Sequence, residues 1–104
     1  KYGYFLDIEK FLSNELRKYR EYVKLPDGDY SSVDPQNLYT LPAGYYAVCT
    51  IPIKNEEADF SVLIDWLNEN NYETDAIFAE EVGFQLFKYI YHYYCEIKIH
   101  LVTG

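Results

Sequence analysis

A regular alternation of apolar and more polar side chains runs over residues 91–102, close to the end of the chain. Successive side chains of a β-strand point to opposite faces of the sheet, so this pattern predicts a long strand with one apolar face. Such a strand needs neighbouring strands and a covering layer to bury that face. The apolar series is Tyr93, Cys95, Ile97, Ile99 and Leu101, and the other series is His92, Tyr94, Glu96, Lys98, His100 and Val102.

Two further strands and one helix are predicted ahead of this segment. Residues 37–53 are an extended piece in which Pro42-Ala43-Gly44 marks a kink or bulge, and residues 75–82 are a strand that Gly83 ends. Residues 84–89 are expected to form a loop or hairpin turn. The helix is predicted to begin at Lys54 or Asn55 and to end at Asn70-Asn71. Its apolar face would carry Phe60, Leu63, Ile64 and Leu67, and its first turns would carry Glu56, Glu57 and Asp59.

The first part of the chain is less regular. Residues 2–6 predict a strand, and Pro26-Asp27-Gly28-Asp29 predicts a turn before a loop over residues 30–36. Residues 8–23 allow two interpretations. Apolar residues at helical spacing, with Asp7 as a possible cap, favour one helix, whereas alternation from Tyr19 onward favours a strand. The whole pattern predicts an α+β fold in a single domain, 1–104, with a helix on one face of an antiparallel sheet.

Composition restricts the classes of function. The net charge is -8 and the nine Lys and Arg residues are dispersed among acids, which argues against direct contact with nucleic acid phosphates. No apolar run approaches the ~20 residues that span a membrane, and the start has no signal-peptide pattern. Cys49 and Cys95 are expected to be reduced, buried thiols of a cytoplasmic protein. A zinc site that combines them with His92 and His100 would fit no common ligand spacing, so no metal or cofactor is predicted.

Tyrosine is unusually abundant, with 13 in 104 residues. A tyrosine ring combines an apolar body, a polar tip and a π face that attracts cations. Tyrosine is also an ordinary sheet residue, and an acidic balance also keeps small domains soluble. Composition is therefore compatible with a binding site for a flat, hydrophobic cation, and equally with tyrosines that are only structural residues of a sheet.

Several segments resemble the GyrI-like domains. Residues 41–48, LPAGYYAV, resemble the strand that opens the second repeat of that family, and residues 66–70, WLNEN, resemble a segment at the end of its helix. Residues 94–99, YCEIKI, resemble the closing strand. GyrI-like domains include the effector-binding domains at the C-terminus of multidrug-responsive MerR-family transcription regulators. The likeness covers residues 37–102 well and residues 2–25 loosely.

The resemblance implies strand-helix-strand-strand repeats with a ligand pocket on the sheet face away from the helices. The second repeat would be complete. The first would lack its opening strand and helix, so the chain would be a fragment, a cleaved product or a reduced variant. The resemblance also favours, for the stretch from residue 8 to residue 23, a short helical turn followed by a strand near residues 18–25.

The resemblance further implies aromatic walls and a carboxylate at the base of the pocket, for which Glu80 and Glu81 are the candidates. Adjacent strand residues point to opposite faces, so only one can enter the pocket. If the helix buries Ile77 and Ala79, which share a face with Glu81, then Glu80 faces the ligand. A buried carboxylate is costly and its pKa rises, a cost that a bound cation would relieve. The candidate walls are Phe78, Tyr2, Tyr4, Tyr39, Tyr46, Tyr91 and Tyr94.

Three functions are compatible with these features. The leading hypothesis is a sensor domain, without catalytic activity, that binds an amphipathic, cationic small molecule. DNA would be bound only through a domain outside this chain, no membrane is involved, and a homodimer could complete the pocket. The second is a stand-alone protein-interaction module of the gyrase-inhibitor type. The third is a small hydrolase that uses the pocket carboxylate as a base, although the sequence has no recognisable set of nucleophile, base and acid.

Overall fold

One antiparallel sheet organises the part of the chain that the computed structural model describes, residues 2–23, 25, 28–29, 31–34, 36, 41–82 and 92–103. Its strands lie in the order β2-β1-β4-β5-β3, with antiparallel pairing between all neighbours. The predicted α+β class is therefore confirmed. The elements are β1 (Tyr2–Leu6), α1 (Ile8–Leu12), β2 (Lys18–Val23), β3 (Tyr46–Lys54), α2 (Ser61–Glu69), β4 (Tyr72–Glu81) and β5 (His92–Thr103).

Of the two interpretations of residues 8–23, the structure has the short helix followed by a strand. Asp7 caps α1, because its side chain accepts a hydrogen bond from the backbone N–H of Lys10 at 3.0 Å. Asn14 then takes a left-handed conformation with φ 62°, which no helix continues. The Asp7 N–H donates to the Arg17 carbonyl, so the chain doubles back and β2 pairs with β1.

The helix α2 begins at Ser61, and the prediction that it starts at Lys54 or Asn55 is wrong. Asn55 and Glu56 both have positive φ, at 53° and 58°, and form a tight turn closed by backbone hydrogen bonds between Lys54 and Glu57. Two successive left-handed residues cannot belong to a right-handed helix. The acids expected in the first turns therefore precede the helix. Its C-terminal end at Asn70 and Asn71 is confirmed.

The apolar face predicted for β5 is confirmed, since Tyr93, Cys95, Ile97 and Ile99 are all buried. These side chains belong to a core cluster that draws on strands and helices together. Cys95 is a free thiol, as is the partly buried Cys49, and burial raises the pKa of Cys95 to about 12. The core cluster consists of Tyr4, Leu6, Phe11, Ile51, Ile53, Phe60, Leu63, Leu67, Ile77, Ala79, Tyr93, Cys95, Ile97 and Ile99.

The two described helices are short. α1 has five residues and α2 has nine. A helix needs about 20 residues to cross the hydrocarbon region of a bilayer. Within the described ranges, no helix is therefore long and apolar enough to span a membrane.

Candidate functional site

Glu80 is the one buried residue with an ionisable carboxyl group among the described residues, and it has no exposed surface. It lies on β4, between β1 and β5, where its Cα pairs with Gly3 on one side and with Glu96 on the other. Its neighbours Ile77 and Ala79 belong to the core cluster, whereas Phe78 is fully buried outside that cluster. Alternation along the strand thus places Glu80 and Phe78 together on the face opposite Ile77 and Ala79.

Glu81 points the other way. Its carboxylate accepts a hydrogen bond from the hydroxyl of Tyr4 at 2.5 Å, and Tyr4 is a member of the core cluster. Burial raises the pKa of Tyr4, and the hydrogen bond to Glu81 raises it further. The two adjacent acids therefore serve opposite faces of the sheet, as the geometry of a strand requires.

Among the described residues, the side chains of Lys98 and Tyr22 hold the Glu80 carboxylate. The Lys98 ammonium lies 2.7 Å from Oε1, and the Tyr22 hydroxyl donates to Oε2 at 2.8 Å. We call Glu80, Lys98 and Tyr22 the Glu80 cluster. Burial raises the pKa of Tyr22, and its bond to Glu80 adds to the rise, so the phenol remains a donor. The Lys98 ammonium also lies 3.5 Å from Glu96, which makes this cluster a buried charge pair with a second acid at its edge.

Gly3 explains how Tyr22 reaches Glu80. Gly3 on β1 pairs with Tyr22 on one side and with Glu80 on the other, so β1 separates the two residues. A Cβ added at Gly3 would lie 2.4 to 2.8 Å from atoms at the end of the Tyr22 ring. The ring of Tyr22 therefore crosses β1 over the glycine. A glycine inside a strand often marks this kind of close approach.

Aromatic rings border the cluster. The Phe5 ring lies 5.2 Å from both Phe78 and Tyr22, measured between centroids, and Tyr22 meets Phe78 edge-on at 6.3 Å. Tyr46 from the far strand β3 approaches Phe78 at 6.4 Å. Tyr46 also donates a hydrogen bond from its hydroxyl to the carbonyl of Pro42, which fixes the ring against the sheet. Rings from four different strands therefore contact one another in a series that includes Tyr22, whose hydroxyl donates to the Glu80 carboxylate.

The candidate wall residues fall into three groups. The Phe78 ring lies against Tyr22 of the Glu80 cluster, and the Tyr46 ring lies 6.4 Å from Phe78. Tyr94 shares the strand face of Lys98 but is 57% exposed, while Tyr4 lies in the core and the exposed Tyr2 donates to Glu21. Tyr39 and Tyr91 lie outside the described residues.

His100 ties the segment before β3 to the sheet. Its Nδ1 lies 2.6 Å from the Asp75 carboxylate and its Nε2 lies 2.9 Å from the carbonyl of Ala43. Both partners are acceptors, so the ring satisfies both contacts only as the doubly protonated imidazolium. The hydrogen bond to Asp75, followed by the bond to Ala43, raises the pKa of His100. The ring also lies 5.0 Å from Tyr46.

A second group of the same residue types lies elsewhere. The Lys18 ammonium is 2.9 Å from the Glu56 carboxylate, and the hydroxyl of Tyr93 donates to the same carboxylate at 2.8 Å. We call Lys18, Glu56 and Tyr93 the Lys18 cluster. The ammonium also lies 4.0 Å from the centroid of the Tyr4 ring, a cation–π contact. Burial acts to raise the pKa of Glu56, but the hydrogen bonds from Lys18 and Tyr93 outweigh it and lower the pKa.

An open surface cleft of about 550 Å³ borders the Lys18 cluster through Glu56. Its lining is mixed in charge and contains no member of the Glu80 cluster. Charged side chains of both signs, open to water, give little selectivity for an apolar ligand. The residues that line it are Lys10, Asn14, Glu15, Leu16, Arg17, Glu56, Glu57 and Ala58.

Four residues in or beside the Glu80 cluster were not among the predicted site residues: Lys98, Tyr22, Gly3 and Phe5. Lys98 stood in the polar series of β5, two positions from Glu96, so alternation alone could have placed it on the face of Glu80. Gly3 inside a predicted strand was a signal of close approach. Phe5 and Tyr22 gave no such signal, because their place beside Glu80 depends on the pairing of β1 with β4.

Comparisons with models of known protein families, with curated proteins and with solved structures found no match. The resemblance to GyrI-like domains therefore stays a prediction. What this chain does has to be inferred from the chemistry of the Glu80 cluster and the rings around it.

Proposed function

We propose that this chain is the small-molecule-sensing domain of a regulatory protein and that it binds an amphipathic cation beside Glu80. The observation that carries the proposal is a glutamate without exposed surface on an inner strand, bordered by aromatic rings. A buried ion pair is rarely retained for stability, since apolar residues of similar size often stabilise as well or better. Buried ionisable groups with a specific charge partner are instead frequent at functional sites.

The aromatic rings and the carboxylate together favour a hydrophobic cation over other ligands. Each aromatic ring that meets a cation contributes roughly 0.5–2 kcal/mol, and apolar contact adds about 25 cal/mol per Å² buried. The carboxylate supplies selectivity for positive charge. None of these contributions requires one particular ligand shape, so the site should accept several related molecules.

The fold suits this role. Residues of α1 and α2 share the core cluster with Ile77 and Ala79, so we infer that both helices cover the face opposite Glu80. That arrangement is the one the GyrI-like resemblance implies, with the chain as one domain of a transcription regulator and DNA contacts supplied by another domain. A ligand would then bias the regulator by binding its two states with different affinity.

Thermal unfolding in the presence of lipophilic ions tests the proposal. Tetraphenylphosphonium should raise the midpoint of unfolding with concentration, because a ligand that binds only the folded state stabilises it. Tetraphenylborate, which has the same shape and the opposite charge, should not. Substitution Glu80→Gln should remove the effect of the cation. A folded protein whose midpoint responds equally to both ions, or to neither, contradicts the proposal.

A protein-interaction module is the second candidate, favoured by a group of exposed apolar side chains. Tyr45 is 85% exposed, Val48 54% and Tyr94 57%, and all three lie on or beside the neighbouring strands β3 and β5. If this function holds, a protein partner captured from a cell extract should be lost on Tyr94→Ala and kept on Glu80→Gln. Capture that is unaffected by Tyr94→Ala counts against this candidate.

A further inference from the structure

We propose that Lys98 is an internal counter-ion that occupies the cation position of the Glu80 cluster and that a bound cation displaces its ammonium toward Glu96. The inference rests on the proposed function and adds to it that Lys98 competes with the ligand for the place beside Glu80. In the absence of ligand, the Lys98 ammonium would occupy the place beside Glu80 that a ligand cation would take. Only a ligand that brings its own positive charge would displace this ammonium.

The distances around Lys98 give the first support. Its ammonium lies 2.7 Å from Glu80 and 3.5 Å from Glu96, so one cation is shared by two carboxylates. An incoming monocation would supply a second positive charge beside these two carboxylates.

The register of the sheet supplies a route for the movement. Glu80 pairs directly with Glu96 across β4 and β5, and Lys98 follows Glu96 by two positions on the same face. A lysine has a flexible stem and three donors, so its ammonium can turn from one acid to the other without moving the backbone. The move leads outward, because the Glu80 side chain is fully buried and that of Glu96 is 30% exposed.

This arrangement sets a requirement on the ligand. A neutral aromatic molecule that displaced Lys98 would take from the buried Glu80 carboxylate the ammonium that lies 2.7 Å from it, which is strongly unfavourable. A cationic one would restore the pair. The apparent affinity is then reduced by the fraction of molecules in which Lys98 has left Glu80. Removing the lysine charge should therefore tighten binding of cations.

The chain contains a matched control in Lys18. Its side chain is 20% exposed and that of Lys98 is 19% exposed, and each forms an ion pair with a glutamate below 3 Å. Lys18 lies away from the Glu80 cluster, against the core tyrosines Tyr4 and Tyr93. A change that reflects general loosening of the protein would affect both lysines alike.

Amine labelling with an acetylating ester, read by mass spectrometry, tests the displacement in the wild-type protein. Saturating tetraphenylphosphonium should raise the labelling rate of Lys98 several-fold and leave that of Lys18 unchanged. Lys98→Met should bind the same cation at least about tenfold more tightly. Lys98→Arg, which keeps a positive charge beside Glu80, should not show this gain.

The outcomes separate this inference from the proposed function. If the cation binds in a Glu80-dependent manner while Lys98 labelling stays constant or falls, the displacement is wrong and the sensor function stands. A folded Lys98→Met that binds no more tightly than wild type overturns it as well. If neither wild type nor this variant binds the cation, the sensor function fails and the displacement with it. Should Lys98→Met not fold, the labelling result on wild type decides.

Discussion

Two clusters built from the same three residue types lie in different parts of this molecule. In each, a lysine ammonium and a tyrosine hydroxyl converge on a glutamate, with ion-pair distances of 2.7 Å in the Glu80 cluster and 2.9 Å in the Lys18 cluster. The carboxylates differ sharply in their surroundings. The side chain of Glu80 has no exposed surface, whereas that of Glu56 is 56% exposed and belongs to a tight turn before α2.

This difference separates a structural tie from a candidate site. Glu56 is open to water, which screens this pair and lowers the cost of removing either partner, so the Lys18 cluster fastens a turn to the sheet. Removing one charge of the buried pair takes a close partner from the other charge inside the protein, where that loss is costly. The Glu80 cluster is therefore sensitive to whichever cation stands beside it, and this sensitivity makes it suited to detecting one.

The largest contrast is expected from removing each lysine charge. Lys98→Met should lower the free energy of unfolding by up to about 4 kcal/mol at pH 7, a limit set by protonating a glutamate of ordinary pKa about 4.3. Lys18→Met should lower it by about 1 kcal/mol. Urea denaturation of both variants measures the two losses. Equal losses would mean that burial does not distinguish the clusters.

The next largest effect on stability is expected from placing a side chain at Gly3, where the Tyr22 ring crosses β1. Gly3→Ala should drive the Tyr22 ring off its position and break its hydrogen bond to Glu80, with a loss of about 2 kcal/mol. Alanine in a strand would otherwise stabilise by about 0.5–1 kcal/mol relative to glycine. The loss should shrink in a Tyr22→Ala background, where no ring crosses the glycine. A loss that persists unchanged there would show that Gly3 matters for another reason.

The smallest effect concerns pH and the His100 link. A histidine whose folded pKa is raised contributes stability that is fully present below its unfolded pKa and is lost as pH rises through the folded pKa. The stability difference between wild type and His100→Gln should thus be largest below about pH 6 and decline toward alkaline pH. Unfolding curves across this range measure it. A difference that is constant with pH would contradict protonation of the ring between Asp75 and Ala43.

Alternation of side chains along a strand was enough to predict those parts of the site that lie on a single strand. Alternation along β4 placed Glu80 and Phe78 on one face and Glu81 on the other, and alternation along β5 separated the buried apolar series from Lys98. A period of two residues is a strong signal because one face must be buried. The helix start was missed because the left-handed turn at Asn55 and Glu56 leaves the apolar spacing intact.

The remaining parts depend on contacts between distant segments. Tyr22 reaches Glu80 across 58 positions of sequence, and only the placement of β1 between β2 and β4 brings them together. No local periodicity of the sequence encodes that order of strands. Lys98 was visible as a polar strand residue, but its role as the partner of Glu80 required the register of β4 against β5.

The most direct test of the account measures cation binding with one glutamate changed at a time. Isothermal titration of tetraphenylphosphonium should give an affinity that falls at least about tenfold, or 1.4 kcal/mol, on Glu80→Gln and hardly changes on Glu56→Gln. Circular dichroism of both variants confirms that each is folded. Equal affinities for wild type and Glu80→Gln would contradict the claim that the buried carboxylate recognises the ligand.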